Sequence, residues 1–239
     1  MVVQANRLWE KGQQTTHQGR PDEPVAPFEK SLGINPASPR CHLSLAAAFL
    51  EKNDAGAACQ HLGKYLEAYP ENVAVRARYA ELLAGLHRPR EARAQYEMLI
   101  ACVQDLPGPA EEHLVSPHTR LVEIAEAYED AYGEHLHRGI ALWLLARRRD
   151  RLAGAGDELS VETLLCKAAA ELTLASWERP REARPCLYLY QVWSQLGQQQ
   201  PALCRLRQAE EAAPFSYLTP WEQRSLQVAL HDRSQEFNR

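Results

Sequence analysis

The chain has 239 residues, 45% of them hydrophobic and 24% charged, with a net charge of −4. That share of apolar residues excludes a disordered chain, and the near balance of charge lacks the basic excess of a nucleic-acid-binding protein. The N-terminal MVVQANRLWEK has no apolar signal stretch, and the apolar run Ile140 to Ala146 is far short of the roughly 20 residues that span a bilayer. A cytoplasmic protein without membrane or nucleic-acid partners is expected.

Along the chain, apolar residues recur at three- and four-residue steps. Examples are Leu43, Ala46, Ala47 and Leu50, then Leu82, Leu83 and Leu86, then Leu121, Ile124, Ala125 and Tyr128. This is helical periodicity, and abundant alanine and leucine with few β-branched residues support it. Breakers punctuate it at Gly19-Arg20-Pro21, Asn35-Pro36, Asn53-Asp54, Pro70, His87-Arg88-Pro89, Pro107-Gly108-Pro109, Gly154-Ala155-Gly156, Pro180, Gly197, Pro214 and Pro220. About twelve helices follow, in an all-α fold.

The spacing is periodic as well. From Gly12, steps of 7, 12, 16, 19 and 24 reach Gly19, Pro24, Phe28, Ser31 and Pro36. The same steps lead from Ala46 to Asn53, Ala58, Leu62, Tyr65 and Pro70, and from Ala80 to His87, Ala92, Tyr96, Leu99 and Gln104. From Tyr190 they reach Gly197, Ala202, Leu206, Ala209 and Pro214. Each set supplies a small or packing residue, a turn residue seven on, and a second helix with a small and a large packing residue. Two antiparallel helices approach closely only where one side chain is small, and a lone hairpin must stack on the next to bury its apolar face.

This pattern resembles the tetratricopeptide repeat, a helix–turn–helix unit of 34 residues. The resemblance implies a right-handed α-solenoid of stacked antiparallel hairpins over residues 1–239. Regular repeats span 5–38, 39–72 and 73–106, longer irregular hairpins 107–182, a repeat-like unit 183–216, and a capping helix 219–233. The segment 107–117 reads as an insertion. The fourth hairpin starts with Leu121, Ile124, Ala125 and Tyr128 and places Gly139, Trp143 and Ala146 two residues late. Residues 179–184, RPREAR, repeat the hexapeptide at 88–93. Strict alternation makes the following helix the second of a hairpin with 158–177, whereas the repeat columns make it a first helix; we favour alternation. The last helix sets Trp221, Leu226 and Leu230 inward and Glu222, Gln223, Arg224, Asp232 and Arg233 outward.

No residue stands out for chemistry. The cysteines Cys41, Cys59, Cys102, Cys166, Cys186 and Cys204 form no CxxC pair and read as core filling. His135 and His137 diverge at i, i+2, and Glu134-x-x-His137 has no second copy to complete a di-iron site, so an exposed helix start is expected. His113 and His118 lack partners at ligand spacing. Phosphate-loop, dinucleotide and nucleophile-elbow motifs are absent from the sequence. Arg147, Arg148, Arg149 and Arg151 close a helix, where cations complement its dipole. The expectation is therefore a non-catalytic chain without cofactor or metal.

The resemblance implies a concave groove lined by the first helices, holding a peptide or partner helix. Its columns map to Asn6, Trp9, Gln13, Thr16 and His17; to Arg40, Leu43, Ala47, Leu50 and Glu51; to Ala74, Ala77, Glu81, Ala84 and Gly85; and to Thr119, Val122, Glu126, Glu129 and Asp130. Members that clamp a chaperone's C-terminal carboxylate use two lysines, two asparagines and an arginine. The matching residues here are Trp9, Gln13, Ser44, Ala74 and Arg78, of which only Arg78 agrees, so that role is not expected. A protein-interaction scaffold is the favoured function. A structural module of a larger protein or complex is the alternative, and a metal- or nucleotide-dependent enzyme a more distant one.

Overall fold

The structure, a computed structural model, describes residues 2–17, 25–104, 111–151 and 160–236. The breakers at 19–21, 107–109 and 154–156, and the register positions Gly19 and Pro24, lie outside them. Helices make up 86% of the described residues, with no strand among them. In order they are α1 (Val2–His17), α2 (Val25–Ile34), α3 (Pro39–Glu51), α4 (Ala55–Ala68), α5 (Val73–Gly85), α6 (Pro89–Gln104), α7 (Glu111–Ala127), α8 (Ala131–Arg151), α9 (Val161–Glu178), α10 (Ala183–Gln195), α11 (Gln199–Ala212), a short 3-10 helix (Ala213–Phe215) and α12 (Pro220–Glu236). The chain forms two compact units, 1–95 and 96–239, whose boundary falls within α6.

One turn makes the hairpins. Asn53, His87, Glu129 and Gly197 all take the left-handed conformation, with φ of 60°, 55°, 53° and 71°. After each, the chain closes with the same pair of bonds. Asn53 N–H donates to Leu50 O (3.0 Å) and Asp54 N–H to Phe49 O (2.8 Å). His87 and Arg88, Glu129 and Asp130, and Gly197 and Gln198 repeat this. It is the Schellman closure, which satisfies carbonyls that the helix end would orphan. The next residues start the second helix: Asp54 caps Ala57 N–H at 2.9 Å and Asp130 caps Gly133 N–H at 3.1 Å.

In the first unit, α1 pairs with α2 and α3 with α4, while α2 packs on α3 and α4 on α5. The small positions lie at the crossings. Ala46, Ala58, Ala80 and Ala92 are at most 1% exposed, and a Cβ on Gly12 would fall 2.4 Å from the Phe28 ring.

In the second unit, α7 pairs with α8, α8 with α9, and α10 with α11. Three expectations change here. First, α7 starts at Glu111 and runs through Pro117, so most of the expected insertion is helix. Second, Glu129 is the turn residue of the fourth hairpin and lies 42 residues after His87. The phase therefore restarts from Val122 rather than three residues later. Third, α9 packs chiefly on α8, and α10 forms its hairpin with α11. The columns prevail over alternation because Gly197 supplies the hairpin turn. The connection from α9 to α10 also repeats that from α4 to α5: Glu182 N–H donates to Arg179 O as Asn72 N–H donates to Tyr69 O.

The crossings set the first prediction. Ala58→Leu inserts three carbons into a site with no exposure and should cost about 1–3 kcal/mol. Gly139→Ala should also destabilise, since its Cβ would lie 2.6 Å from Leu172 Cγ and 3.2 Å from the Leu172 backbone nitrogen. Urea denaturation of both variants checks this; a wild-type midpoint for Ala58→Leu would mean that the phase is misplaced.

Candidate functional site: the first-helix face and the polar pairs behind it

On the first-helix face of the first unit, side chains of α1 and α3 are tied together. The Trp9 indole N–H donates to Ser44 Oγ at 3.1 Å, and Gln13 Nε2 donates to the same oxygen at 2.9 Å. The Arg40 guanidinium stands 5.7 Å from the centre of the Trp9 ring. Asn6, Arg40, Leu43 and Ala47 are exposed and Trp9 and Gln13 partly so. Further on, Ala77 is half-buried and exposed Glu81 accepts from Arg78 at 3.2 Å. The side chains of Thr16 and His17 lie outside the described residues.

In the second unit, Thr119 and Glu126 are exposed on α7 and Val122 is half-buried. Glu129 and Asp130 follow the end of α7 and belong to the turn. Glu126 pairs with Arg138 at 2.7 Å, and Arg138 also meets Glu134 at 2.8 Å. The Glu126 carboxylate is thus partly neutralised from the second helix of its hairpin.

Behind the first-helix face runs a feature that the sequence reading missed. In four hairpins, the residue four before and the residue fifteen after Ala46, Ala80, Val122 and Tyr190 meet across the hairpin. His42 and His61 bring their Nδ1 atoms to 3.0 Å. Arg76 Nη1 donates to Gln95 Oε1 at 2.6 Å. His118 and His137 again bring Nδ1 to 3.0 Å, and the Cys186 thiol meets Arg205. The outer end of the first residue is satisfied by a turn carbonyl. His42 Nε2 contacts Pro36 O at 3.1 Å and Arg76 Nη2 donates to Pro70 O. A carbonyl partner requires the proton on His42 Nε2, so neutral His42 accepts at Nδ1 and His61 donates. Burial, with His42 second, pushes the His61 imidazole below its usual range.

His118 breaks this scheme. Because α7 extends back to Glu111, no turn carbonyl stands six residues before it, and its buried Nε2 has no partner. Burial, reinforced by Arg184, lowers the His118 pKa to about 3. His118 and His137 are buried, against the expectation of an exposed helix start and an isolated insertion histidine. His135 Nδ1–H donates to Glu171 Oε2 on α9 at 2.7 Å.

A second buried network fastens α12. Glu222, expected on the outer face, has no exposure. It accepts from Arg184 Nε at 3.0 Å, Tyr188 Oη at 3.1 Å and Thr219 N–H at 2.8 Å. Its own N–H donates to Thr219 Oγ1 at 3.2 Å, completing a capping box. Thr219 Oγ1 also donates to Gln104 Oε1 at 3.0 Å. Burial, then the Glu222 charge, pushes the Tyr188 phenol well up. Burial takes Tyr132 to about 12, beneath Arg179 at 4.2 Å. Of the cysteines, Cys41, Cys59 and Cys186 are buried as expected, but Cys166 and Cys204 are exposed on the outer sides of their helices.

Comparison with known proteins agrees with the repeated turn. Residues 49–107 match the family model described as tetratricopeptide repeat. That segment carries the tetratricopeptide repeat. No curated protein sequence matches it significantly. Among solved structures, MamA has 13% identity, with 89% of this chain and 93% of that one covered and a TM-score of 0.45. Pseudomonas aeruginosa PilF has 18% identity, with 95% and 98% covered and a TM-score of 0.41. YrrB, described as a tetratricopeptide repeat protein with an unusual peptide-binding site, has 14% identity, with 87% of this chain and 85% of that one covered and a TM-score of 0.35.

Two predictions follow from the buried groups. His118 stays neutral in the folded chain while an unfolded histidine binds a proton below about pH 6.5. Its stabilising contribution is therefore complete above that pH. It falls by about 1.4 kcal/mol per unit as the pH drops toward 3. Urea midpoints measured from pH 7.5 to 4.5 should show this slope, and His118→Leu should flatten it. Glu222→Ala leaves the Arg184 charge in a largely dry site and should cost about 3–5 kcal/mol, read from the same denaturation.

Proposed function

We propose that the chain is a non-catalytic protein-interaction scaffold that holds an extended peptide or a partner helix on the first-helix face of its N-terminal hairpins. The observation that supports this most directly is the Trp9–Ser44–Gln13 arrangement. Two donors from α1 converge on one hydroxyl of α3, so the tryptophan is held in place before any partner arrives. Tryptophan and arginine are enriched at binding hot spots, and a side chain already ordered loses less entropy on binding. Exposed Leu43 and Ala47 beside them offer apolar contact at low relief.

The repeat family supports the scaffold reading in general, and the residues on the face narrow the partner's chemistry. Trp9 and Leu43 favour an apolar anchor. Arg40 above the indole favours a neighbouring acidic or carbonyl group. Toward α5, Arg78 and Glu81 satisfy each other, so that end adds complementarity at the rim rather than much affinity.

The experiment is partner capture from the native host with variants of this face. Trp9→Ala and Leu43→Arg should each reduce capture by roughly tenfold or more at unchanged helicity, as expected for loss of a hot spot above about 1.4 kcal/mol. Arg148→Glu, on the exposed side of α8, should leave it unchanged. Capture that is lost with the Arg148 change and kept with the other two would move the site off this face.

A further inference from the structure

A cleft of about 630 Å³ opens in the second unit between the end of α9, the start of α10 and the end of α11. Cys186 and Ala212 line its buried part, and Trp177 and Phe215 stand at its edges. These two rings are 68% and 78% exposed, a large apolar area to leave in water at one place. The cleft is not on the first-helix face, since α11 is the second helix of its hairpin.

Its walls are fixed. Ser216 Oγ accepts from Ala183 N–H at 2.7 Å and reaches Arg181 O at 3.2 Å and Ala212 O at 3.0 Å. One hydroxyl thus joins the segment carrying Phe215 to the turn carrying Arg181. Arg205 Nη1 donates to Gln208 Oε1 at 3.0 Å, which holds its guanidinium beside the Cys186 thiol.

The charges are uneven. Arg181 and Arg205 both line the cleft, and among the described residues neither is in an ion pair, Glu211, the acid that shares the lining, included. A net positive cleft on a chain of net charge −4 selects an anionic occupant. A guanidinium favours carboxylates over point-charge partners, and the exposed rings add an apolar requirement.

We propose that this cleft binds a protein segment in which a glutamate or aspartate adjoins a large apolar side chain. The apolar side chain packs on Trp177 and Phe215, and the carboxylate pairs with Arg181 and Arg205. This site is separate from the first-helix face and does not depend on it.

The test is an NMR titration of the full chain with the blocked peptide acetyl-Ala-Glu-Phe-Leu-Ala-amide, following the Trp177 indole and the Arg205 Nε signals. The expected result is a saturable shift at both. The counterpart with glutamine in place of glutamate should bind roughly tenfold more weakly, as loss of a charge-assisted hydrogen bond implies. Arg181→Glu, at an exposed turn position, should abolish the difference between the peptides, and Ser216→Ala should weaken the acidic one. Trp9→Ala should change nothing. Equal binding of the two peptides, no saturation at millimolar peptide, or shifts at Trp9 in place of Trp177 would each overturn the proposal. So would a mononucleotide that displaces the peptide's signals at equal or lower concentration.

Discussion

Every hairpin here depends on reversing the chain within three residues while two helices stay close enough to exclude water. The first demand needs a residue in the left-handed region, and the second a small residue at the crossing. Glycine meets the first at no steric cost, yet only Gly197 among the four described turn residues is glycine; Asn53, His87 and Glu129 adopt a φ of 53–60° instead. Such residues cost energy that local bonding must offset. The Schellman pair does so by returning two backbone donors to carbonyls that would otherwise face nothing. The second demand is met by alanines with essentially no exposure. Once both are satisfied the helix angle is fixed, and side chains at equivalent positions fall on equivalent faces. That equivalence places Trp9 of α1 against Ser44 of α3.

Close packing creates a further constraint between the helices. A polar side chain that enters the hairpin must find its partner there, because an unsatisfied buried group costs about 1–3 kcal/mol. The hairpins solve this at one pair of positions with different chemistry: two histidines, arginine with glutamine, two histidines again, and cysteine with arginine. The geometry is kept while the residue types change. In the fourth hairpin the lengthened first helix removes the carbonyl that Pro36 and Pro70 provide to His42 and Arg76, and His118 Nε2 is left without a hydrogen-bond partner.

Much of the fold was legible from spacing. Steps of 7, 12, 16 and 19 located the turns at Asn53, His87 and Gly197 and the buried positions at Ala58, Ala92, Ala202 and Leu206. What was not legible depended on packing. RPREAR starts a helix at Pro89 after the left-handed His87, but at 179–184 it spans a turn, and helix begins only at Ala183. Six identical residues therefore take two structures according to what precedes them. The turn at Glu129 was misplaced because glutamate carries no turn signal. Nor could residue types reveal the paired columns: a 19-residue separation links them, but no residue identity repeats throughout. Trp9, Gln13 and Arg40, expected in the groove, are in mutual contact or share a partner. The sequence could not show that Ser44, noted only for departing from a carboxylate clamp, is the group that joins Trp9 and Gln13.

The irregular helix α9 has consequences on both sides. It leaves through the same turn as α4, through Arg179 and Glu182, and so delivers α10 as a first helix. Yet it packs chiefly on α8, which already pairs with α7. A helix in this position need not follow α11 along its length, and the edge between them carries Trp177 and Phe215 in the open. Downstream, α10 must still be closed on its other side, and α12 does this with an ion pair inside the core. A buried pair is weak evidence for net stability but strong evidence for a defined position, because its donors fit in one arrangement. Glu222 is held by three donors from α10 and its own helix start. The terminal helix is thereby registered by directional bonds, where apolar contact through Leu226 and Ala229 alone would leave it free to slide.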